Sequence, residues 1–318
     1  MIERRPTVSI CCITYNHERF LVQTIESVLM QQTDFEVEMV IGEDCSTDNT
    51  RHIAQEYEKK YPGRIRVLTQ DTNLGIMPNL MATMAACQGE YIAFLEGDDY
   101  WTDSNKLQIQ VDALRANAGC ALCFHDAEVF YDAEPDQPVM VFSQQVASHA
   151  LPLLAAHSPL LRFTQLDLAR VGWIMPSASM LFRACSLPQP LPAWFAGVYS
   201  GDYTLQLLST RWGPALYLPR LMSRYRLHAQ SVTSITLQSV FQLERRIYEA
   251  KMFQKHVFEP KEKKHADIYL ANQYKGYVRY LCAQGQRLQS LRYFVKSLFY
   301  SRKRIPLYLE RRLQKLLH

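Results

Sequence analysis

Glu96-Gly97-Asp98-Asp99 carries the clearest chemistry in this chain, because it sets three carboxylates within four residues. Carboxylates so close repel one another, and a divalent cation among them removes the conflict. Mn2+ or Mg2+ suits the position: such an ion takes one or two protein carboxylates and completes its shell with diphosphate oxygens and water. A solvated acidic turn is the plain alternative, and the surrounding pattern decides between the two.

That pattern is an alternation of short apolar runs and amphipathic stretches. TVSICCI (Thr7 to Ile13) reads as a strand and is followed by a helix presenting Phe20, Leu21, Ile25, Val28 and Leu29 on one face. EVEMVIGE (Glu36 to Glu43), RIRVLT (Arg64 to Thr69) and YIAFLE (Tyr91 to Glu96) read as further strands, with helices opening near Thr47-Asp48 and running from Met77 to Cys87. A β-α-β-α-β-α-β order predicts an α/β fold with a mostly parallel sheet sandwiched by helices. Ligands of such sheets bind beyond the carboxyl ends of the strands. Here those ends read Thr14-Tyr15-Asn16-His17, Glu43-Asp44-Cys45-Ser46, Asp71-Thr72-Asn73-Leu74-Gly75 and Glu96-Gly97-Asp98-Asp99, all polar and all at one edge.

Four of these blocks, in this order and spacing, resemble family 2 glycosyltransferases of the GT-A fold: VSICCITYNHERFLVQTIESVLMQ, IGEDCSTDNT, NLG and EGDDYW. The resemblance is strong from Thr7 to Leu114 and weaker to about residue 234. It implies an inverting, nucleotide-sugar-dependent enzyme. Tyr15 and Asp44 match positions lining the base, the ring stacking and the carboxylate accepting from a pyrimidine N–H, so a UDP- or dTDP-sugar is favoured. Thr14, Asn16, Asn73 and Gly75 fall in the same nucleotide-sugar-binding blocks. Asp98 and Asp99 match the DxD-type pair, the first near ribose and metal, the second a direct metal ligand, while Glu96 replaces the usual Asp at the head of the motif. Helix capping competes for Asp44 and Asp48, most of all for Asp48, and turn formation competes for Asn73 and Gly75.

Two later blocks extend the resemblance. Ser200-Gly201-Asp202-Tyr203 matches the block that carries the family's catalytic carboxylate, which leaves Asp202 as general base, with Asp126 and Asp167 next in line. A helix start stabilises the ionised form and makes for a weaker base, which counts against the assignment. Arg224-Tyr225-Arg226-Leu227-His228-Ala229-Gln230-Ser231 resembles a block that returns to the donor diphosphate; Arg226 suits phosphate oxygens and His228 suits a metal. The implied reaction is one in-line displacement by an acceptor hydroxyl, on a glycan or lipid-linked acceptor of surface polysaccharide synthesis.

The expected organisation is a catalytic domain over residues 1–235, with a nucleotide-sugar half (1–118) and an acceptor half (119–235), then a basic, amphipathic helical extension over 236–318. Of the net charge of +4, the stretch from Gly285 to His318 contributes nine Lys/Arg against one acid. Nucleic acid is therefore not an expected partner, because the positive charge is confined to the tail. There Leu288, Leu291, Val295, Leu298 and Phe299 form one apolar stripe and Ile305, Leu309, Leu313, Leu316 and Leu317 a second, patterns that either lie on a membrane surface or cover a core. With no signal segment or spanning run in view, a cytoplasmic protein, peripheral on the inner face of the membrane, is the expectation.

The rivals are a sugar-1-phosphate nucleotidyltransferase, which wants a Gly-rich basic loop where this chain has TYNHERF, and an inactive sugar-nucleotide or glycan binding module. Neither GxGxxG nor GxxxxGK[ST] is present, which counts against dehydrogenase and P-loop chemistry. Cys120, Cys123 and His125 offer a zinc half-site only on paper, since residues three apart on a strand face opposite sides.

Overall fold

The computed structural model describes residues 6–133, 140–141, 161–228 and 240–301. They form two compact units: one holds the residues up to Ala196 and those from Asp202 to His228, the other Gly197–Gly201 and the helices from Val240 onward.

The first unit is built on one sheet. Strands β1 (Val8–Thr14), β2 (Val37–Glu43), β3 (Ile65–Thr69) and β4 (Tyr91–Glu96) alternate with helices α1 (Leu21–Leu29), α2 (Thr50–Lys60) and α3 (Ile76–Ala86). They pair parallel in the order β3-β2-β1-β4, so the chain moves outward from β1 and then returns to its other side. That reversal opens a crevice beyond the carboxyl ends of β1 and β4. β1 is buried along almost its whole length, which is why VSICCI is a continuous apolar run rather than an alternating one. The core gathers Ile10, Leu21, Ile25, Ile41, Tyr91 and Leu107. Each such side chain, fully buried, is worth roughly 1.5–3 kcal/mol in transfer free energy.

Beyond β4 the sheet becomes mixed. β5 (Tyr100–Trp101), α4 (Lys106–Ala116), β6 (Leu122–Tyr131), β7 (Met140–Val141), β8 (Arg162–Phe163), α5 (Gln165–Val171), β9 (Leu181–Arg183), α6 (Gly201–Ser209) and β10 (Ala215–Leu227) follow in the chain. β9 lies antiparallel between β4 and β6, and β10 runs parallel to β6 with register shifts after Leu218 and Leu221. Past those irregularities β10 pairs with β5, setting Ser223 opposite Trp101 and Arg224 opposite Tyr100. The stretch from Ser177 to Arg183 is divided: Ser177–Ser179 is a 3-10 turn and Leu181–Arg183 is extended.

In the second unit α7 (Val240–Met252), α8 (Lys263–Ala283) and α9 (Arg287–Tyr300) enclose a small core of Leu243, Ile247, Leu270, Tyr274, Tyr277 and Leu281. Buried Glu249 accepts from the backbone N–H groups of Tyr199 and Ser200 and from the Tyr269 hydroxyl. No described helix is long and apolar enough to cross a membrane.

Candidate active site at the strand ends

The carboxylate turn is pinned from three sides. Gly97 N–H donates to Ile13 O at 3.0 Å, and Thr24 Oγ1 on α1 donates to the carbonyls of Gly97 (3.0 Å) and Asp99 (2.8 Å). From β10, Arg226 N–H reaches Asp99 Oδ1 at 2.9 Å while its Nε donates to Asp98 O at 2.9 Å. The glycine has a local reason, because a Cβ at position 97 would lie 2.5 Å from Thr14 Oγ1 and 2.8 Å from His17 Nδ1.

Asp98 is the centre of the cluster. Its Oδ2 lies 3.0 Å from His228 Nε2 and 3.9 Å from His17 Nε2, and its Oδ1 is buried without a hydrogen-bond partner among the described residues. Burial pushes this carboxyl up, but the His228 hydrogen bond and the nearby His17 outweigh it and leave it below the usual range. Burial beside Asp98 and Glu96 pushes Asp99 well above that range, and its Oδ2 is also buried without a partner among the described residues. Glu96 is pushed up to about 8 by burial and by the negative charges of Asp98 and Asp202. Two orphaned carboxylate oxygens and two imidazoles suit a divalent cation.

Among the described residues the group of His, Cys, Asp and Glu able to hold a metal is His17, Asp98 and His228. The sequence reading assigned Asp98, Asp99 and His228. Asp99 Oδ1 accepts from the Arg226 N–H at 2.9 Å, and its Oδ2 stays buried without a hydrogen-bond partner among the described residues. His17, absent from that assignment, was visible only as a histidine three residues past the end of β1.

Arg226, expected at the donor diphosphate, has protein partners on several elements around the carboxylate turn. Its guanidinium is largely buried, donating to Asp98 O, Asp132 Oδ1 (2.6 Å) and Gln23 Oε1 (2.6 Å) and lying over the Phe20 ring at 4.6 Å. It is a strut joining β10, α1 and the carboxylate turn. Arg226→Ala is therefore expected to lower unfolding stability by about 3 kcal/mol, since it leaves buried polar partners uncompensated. Urea unfolding measures this, and a change below about 0.5 kcal/mol would show that the strut carries no weight.

The nucleotide-side residues meet at the neighbouring strand ends. Both Asp44 oxygens accept from the Asn73-Leu74-Gly75 loop, from Leu74 N–H at 2.7 Å and Gly75 N–H at 2.9 Å, and Asn73 Nδ2 donates to Asp44 O at 3.0 Å. Asp44 thus shapes this loop rather than capping a helix. Gly75 adopts φ +85°, a left-handed conformation that glycine accepts without strain. Asp48 takes the capping role, its Oδ1 accepting from Thr50 N–H at 2.9 Å at the start of α2. Asn16 and Cys45 hold positive φ (55° and 59°) at facing strand ends, and Asn16 Oδ1 accepts from Thr47 N–H at 2.8 Å. Non-glycine residues in this region gather at functional sites. Tyr15 stands 41% exposed, at the mouth rather than in the core, while Thr14 is buried against His17.

Asp202, in the first turn of α6, accepts a hydrogen bond from Trp173 Nε1 and acts electrostatically on Glu96. Trp173 and Ser177, which bonds Glu96, gave no signal in the sequence. Asp167 forms a capping box with Thr164 at the start of α5, and Asp126 accepts from Tyr217 Oη at 2.9 Å, so both reserve carboxylates have structural partners. The cysteine pair builds no zinc site: Cys123 Sγ meets Gln110 O, and His125 Nδ1 meets Asp126 O.

A strand-end crevice with clustered carboxylates on a mixed sheet of this order defines the GT-A class of fold. Residues 9–137 match the model described as Glycosyl transferase family 2. The Mycobacterium tuberculosis protein Rv1520 is 31% identical over 228 residues, 71% of this chain and 60% of its own length. The chain therefore spans less than two thirds of that relative. TuaG of Bacillus subtilis, named for teichuronic acid biosynthesis, is 37% identical over 124 residues, 39% of this chain and 48% of its own. Among solved structures, Staphylococcus aureus TarS 1–349 in complex with UDP-GlcNAc superposes with TM-score 0.61 at 18% identity, covering 92% of this chain and 81% of that one. The Pyrobaculum calidifontis mannosyltransferase PcManGT, in complex with GDP-Man and Mn2+, gives 0.56 at 15% identity, covering 99% and 86%. At these identities the structural likeness speaks for the fold.

Proposed function

We propose that the chain transfers a sugar, with inversion, from a nucleoside diphosphate sugar to a hydroxyl of a glycan or lipid-linked acceptor. One observation carries the reading: at the strand ends Asp98 Oδ2 lies 3.0 Å from His228 Nε2 and 3.9 Å from His17 Nε2, a candidate cation site, with Asp202 of α6 as the candidate base. The family 2 segment and the nucleotide sugars bound by TarS and PcManGT support it.

The protein's own groups divide the work. Tyr15 stacks on the base beside the Asp44-braced loop, with Thr14, Asn16, Asn73 and Gly75 around it. Glu96 faces the ribose, and Asp98 and His228 hold Mn2+ or Mg2+. When bound, that ion supplies positive charge against the departing diphosphate. Asp202, oriented by Trp173, takes the proton of the incoming hydroxyl as it attacks the anomeric carbon, so the enzyme needs no nucleophile of its own. A panel of UDP-, dTDP- and GDP-sugars with nucleoside diphosphate release as readout tests this; release from none of them, with polysaccharide and lipid-linked acceptors supplied, would favour the binding-module reading.

The same proposal brings the second unit to a membrane surface on its cytoplasmic side. On α9, Leu288 is 87% exposed and Leu291, Phe294 and Phe299 are also exposed, among the cations Arg287, Arg292 and Lys296. The second stripe, from Ile305 to Leu317, lies outside the described residues. Cations near anionic headgroups contribute about 1 kcal/mol each and are screened by salt. The full chain is expected to sediment with phosphatidylserine-containing vesicles at low salt and to be released as salt rises, and Leu288→Glu with Leu291→Glu should weaken this. Indifference to vesicles at low salt removes the membrane part of the proposal.

A further inference from the structure

The His17 backbone is anchored on both sides and its ring is oriented by a neighbouring hydroxyl. Its N–H donates to Thr50 Oγ1 at 2.8 Å, and its carbonyl accepts from Phe20 and Leu21 N–H, both at 2.9 Å, at the entry to α1. Its Nδ1 faces Thr14 Oγ1 at 3.2 Å, and position 97 is glycine where the ring passes. The remaining nitrogen, Nε2, is thereby aimed at Asp98. Phe20 forms the wall behind both imidazoles, its ring centroid 4.7 Å from His228 and 6.3 Å from His17.

The three ligand atoms lie within 4.8 Å of one another. An ion bonded at about 2.1 Å to each of three ligands sets neighbouring ligand atoms roughly 3 Å apart and opposed ones about 4.2 Å apart. The distances of 3.0 Å and 3.9 Å from Asp98 Oδ2 to the two histidines fall at and between these values. A hydrogen-bond acceptor for the far ring N–H fixes a ligating imidazole's orientation and tautomer, and Thr14 Oγ1 is placed to serve as one.

We infer that His17 is a third protein ligand of the cation, and that two imidazoles with one carboxylate make the site selective for first-row transition metals over Mg2+. The inference rests on the proposed transferase's cation site. Magnesium is hard, keeps oxygen ligands and is reluctant to lose water, whereas imidazole favours the transition metals, with affinity rising from Mn2+ to Co2+. The cation choice of this protein is thus written in His17 and His228 rather than in the acidic turn.

The test uses the full chain stripped of metal, titrated with Mn2+, Co2+ or Mg2+, each alone and with UDP, and read by calorimetry. Mn2+ should bind at least about tenfold more tightly than Mg2+, and Co2+ more tightly still. His17→Ala should weaken Mn2+ about 10- to 100-fold while changing Mg2+ little, and His17→Asp should shift the preference toward Mg2+. Nitrogen modulation of the bound Mn2+ electron-spin echo should report two imidazoles in the native chain and one in His17→Ala. His17→Gln, which keeps the side chain's bulk, repeats the measurement if the alanine variant fails to fold. Equal Mg2+ and Mn2+ affinity, or a His17 variant retaining native affinity and two imidazoles, overturns the inference and leaves the transferase reading standing. A chain that binds Mn2+ through His17 yet releases no nucleoside diphosphate keeps this site and loses that reading.

Discussion

Asp202→Asn is expected to cut turnover by about 10²- to 10⁴-fold with nucleotide-sugar affinity near native, the usual worth of a positioned general base. The substitution keeps the size and an oxygen able to accept from Trp173 Nε1, so the side chain's position should survive while its capacity to take a proton is lost. That separation of turnover from binding distinguishes a base from a structural residue of the crevice. It also separates an enzyme from a binding module, for which Asp202 carries no chemistry. Single-turnover transfer with the donor selected by the release panel, alongside calorimetric donor binding, provides both readouts. Unchanged turnover would move the base elsewhere, and neither Asp126, bonded to Tyr217, nor Asp167, locked in its capping box, is placed as a ready substitute.

The second large effect is expected at Asp98. EDTA should abolish transfer and Mn2+ restore it, and Asp98→Asn should lower turnover by about 10²- to 10³-fold, the scale of losing a charge stabiliser at a departing group. The structure gives the two neighbouring carboxylates different partners. Asp98 faces both imidazoles, whereas Asp99 braces the backbone of β10 through Arg226 N–H. Asp99→Asn should consequently cost less turnover than Asp98→Asn and more stability, and added Mn2+ should not distinguish it from the native chain. Full native activity in EDTA would falsify the metal dependence, and a larger loss at Asp99 than at Asp98 would reverse the assignment of ligand and brace.

The order of elements was legible because the apolar pattern is local. The runs around β1 to β4 and the amphipathic stretches between them announce a parallel, helix-covered sheet, and the polar blocks at their ends announce its crevice. The apolar stretch from Ser177 to Arg183 is extended only in its second half, and the reason is tertiary. Trp101 Nε1 donates to Ala178 O at 2.9 Å, and Gln110 Nε2 to Ser179 O at 2.9 Å, which ties that backbone to side chains from earlier in the chain.

Residue types and strand-end positions suffice to mark Glu96, Asp98, Asp44 and Tyr15 as candidates, because ligands of a parallel sheet bind beyond the carboxyl ends of its strands. The division of labour among those candidates belongs to the tertiary structure. His228 and Asp98 are 130 residues apart, and they meet only because β10 bends through its register shifts and pairs with β5. The same return path turns Arg226, which by type suits a phosphate, into a buried strut, and it sets His228 beside a His17 that by sequence is one polar residue among four. Hydrophobic period is a property of neighbours in the chain, whereas ligand geometry depends on which distant strands hydrogen-bond in which register.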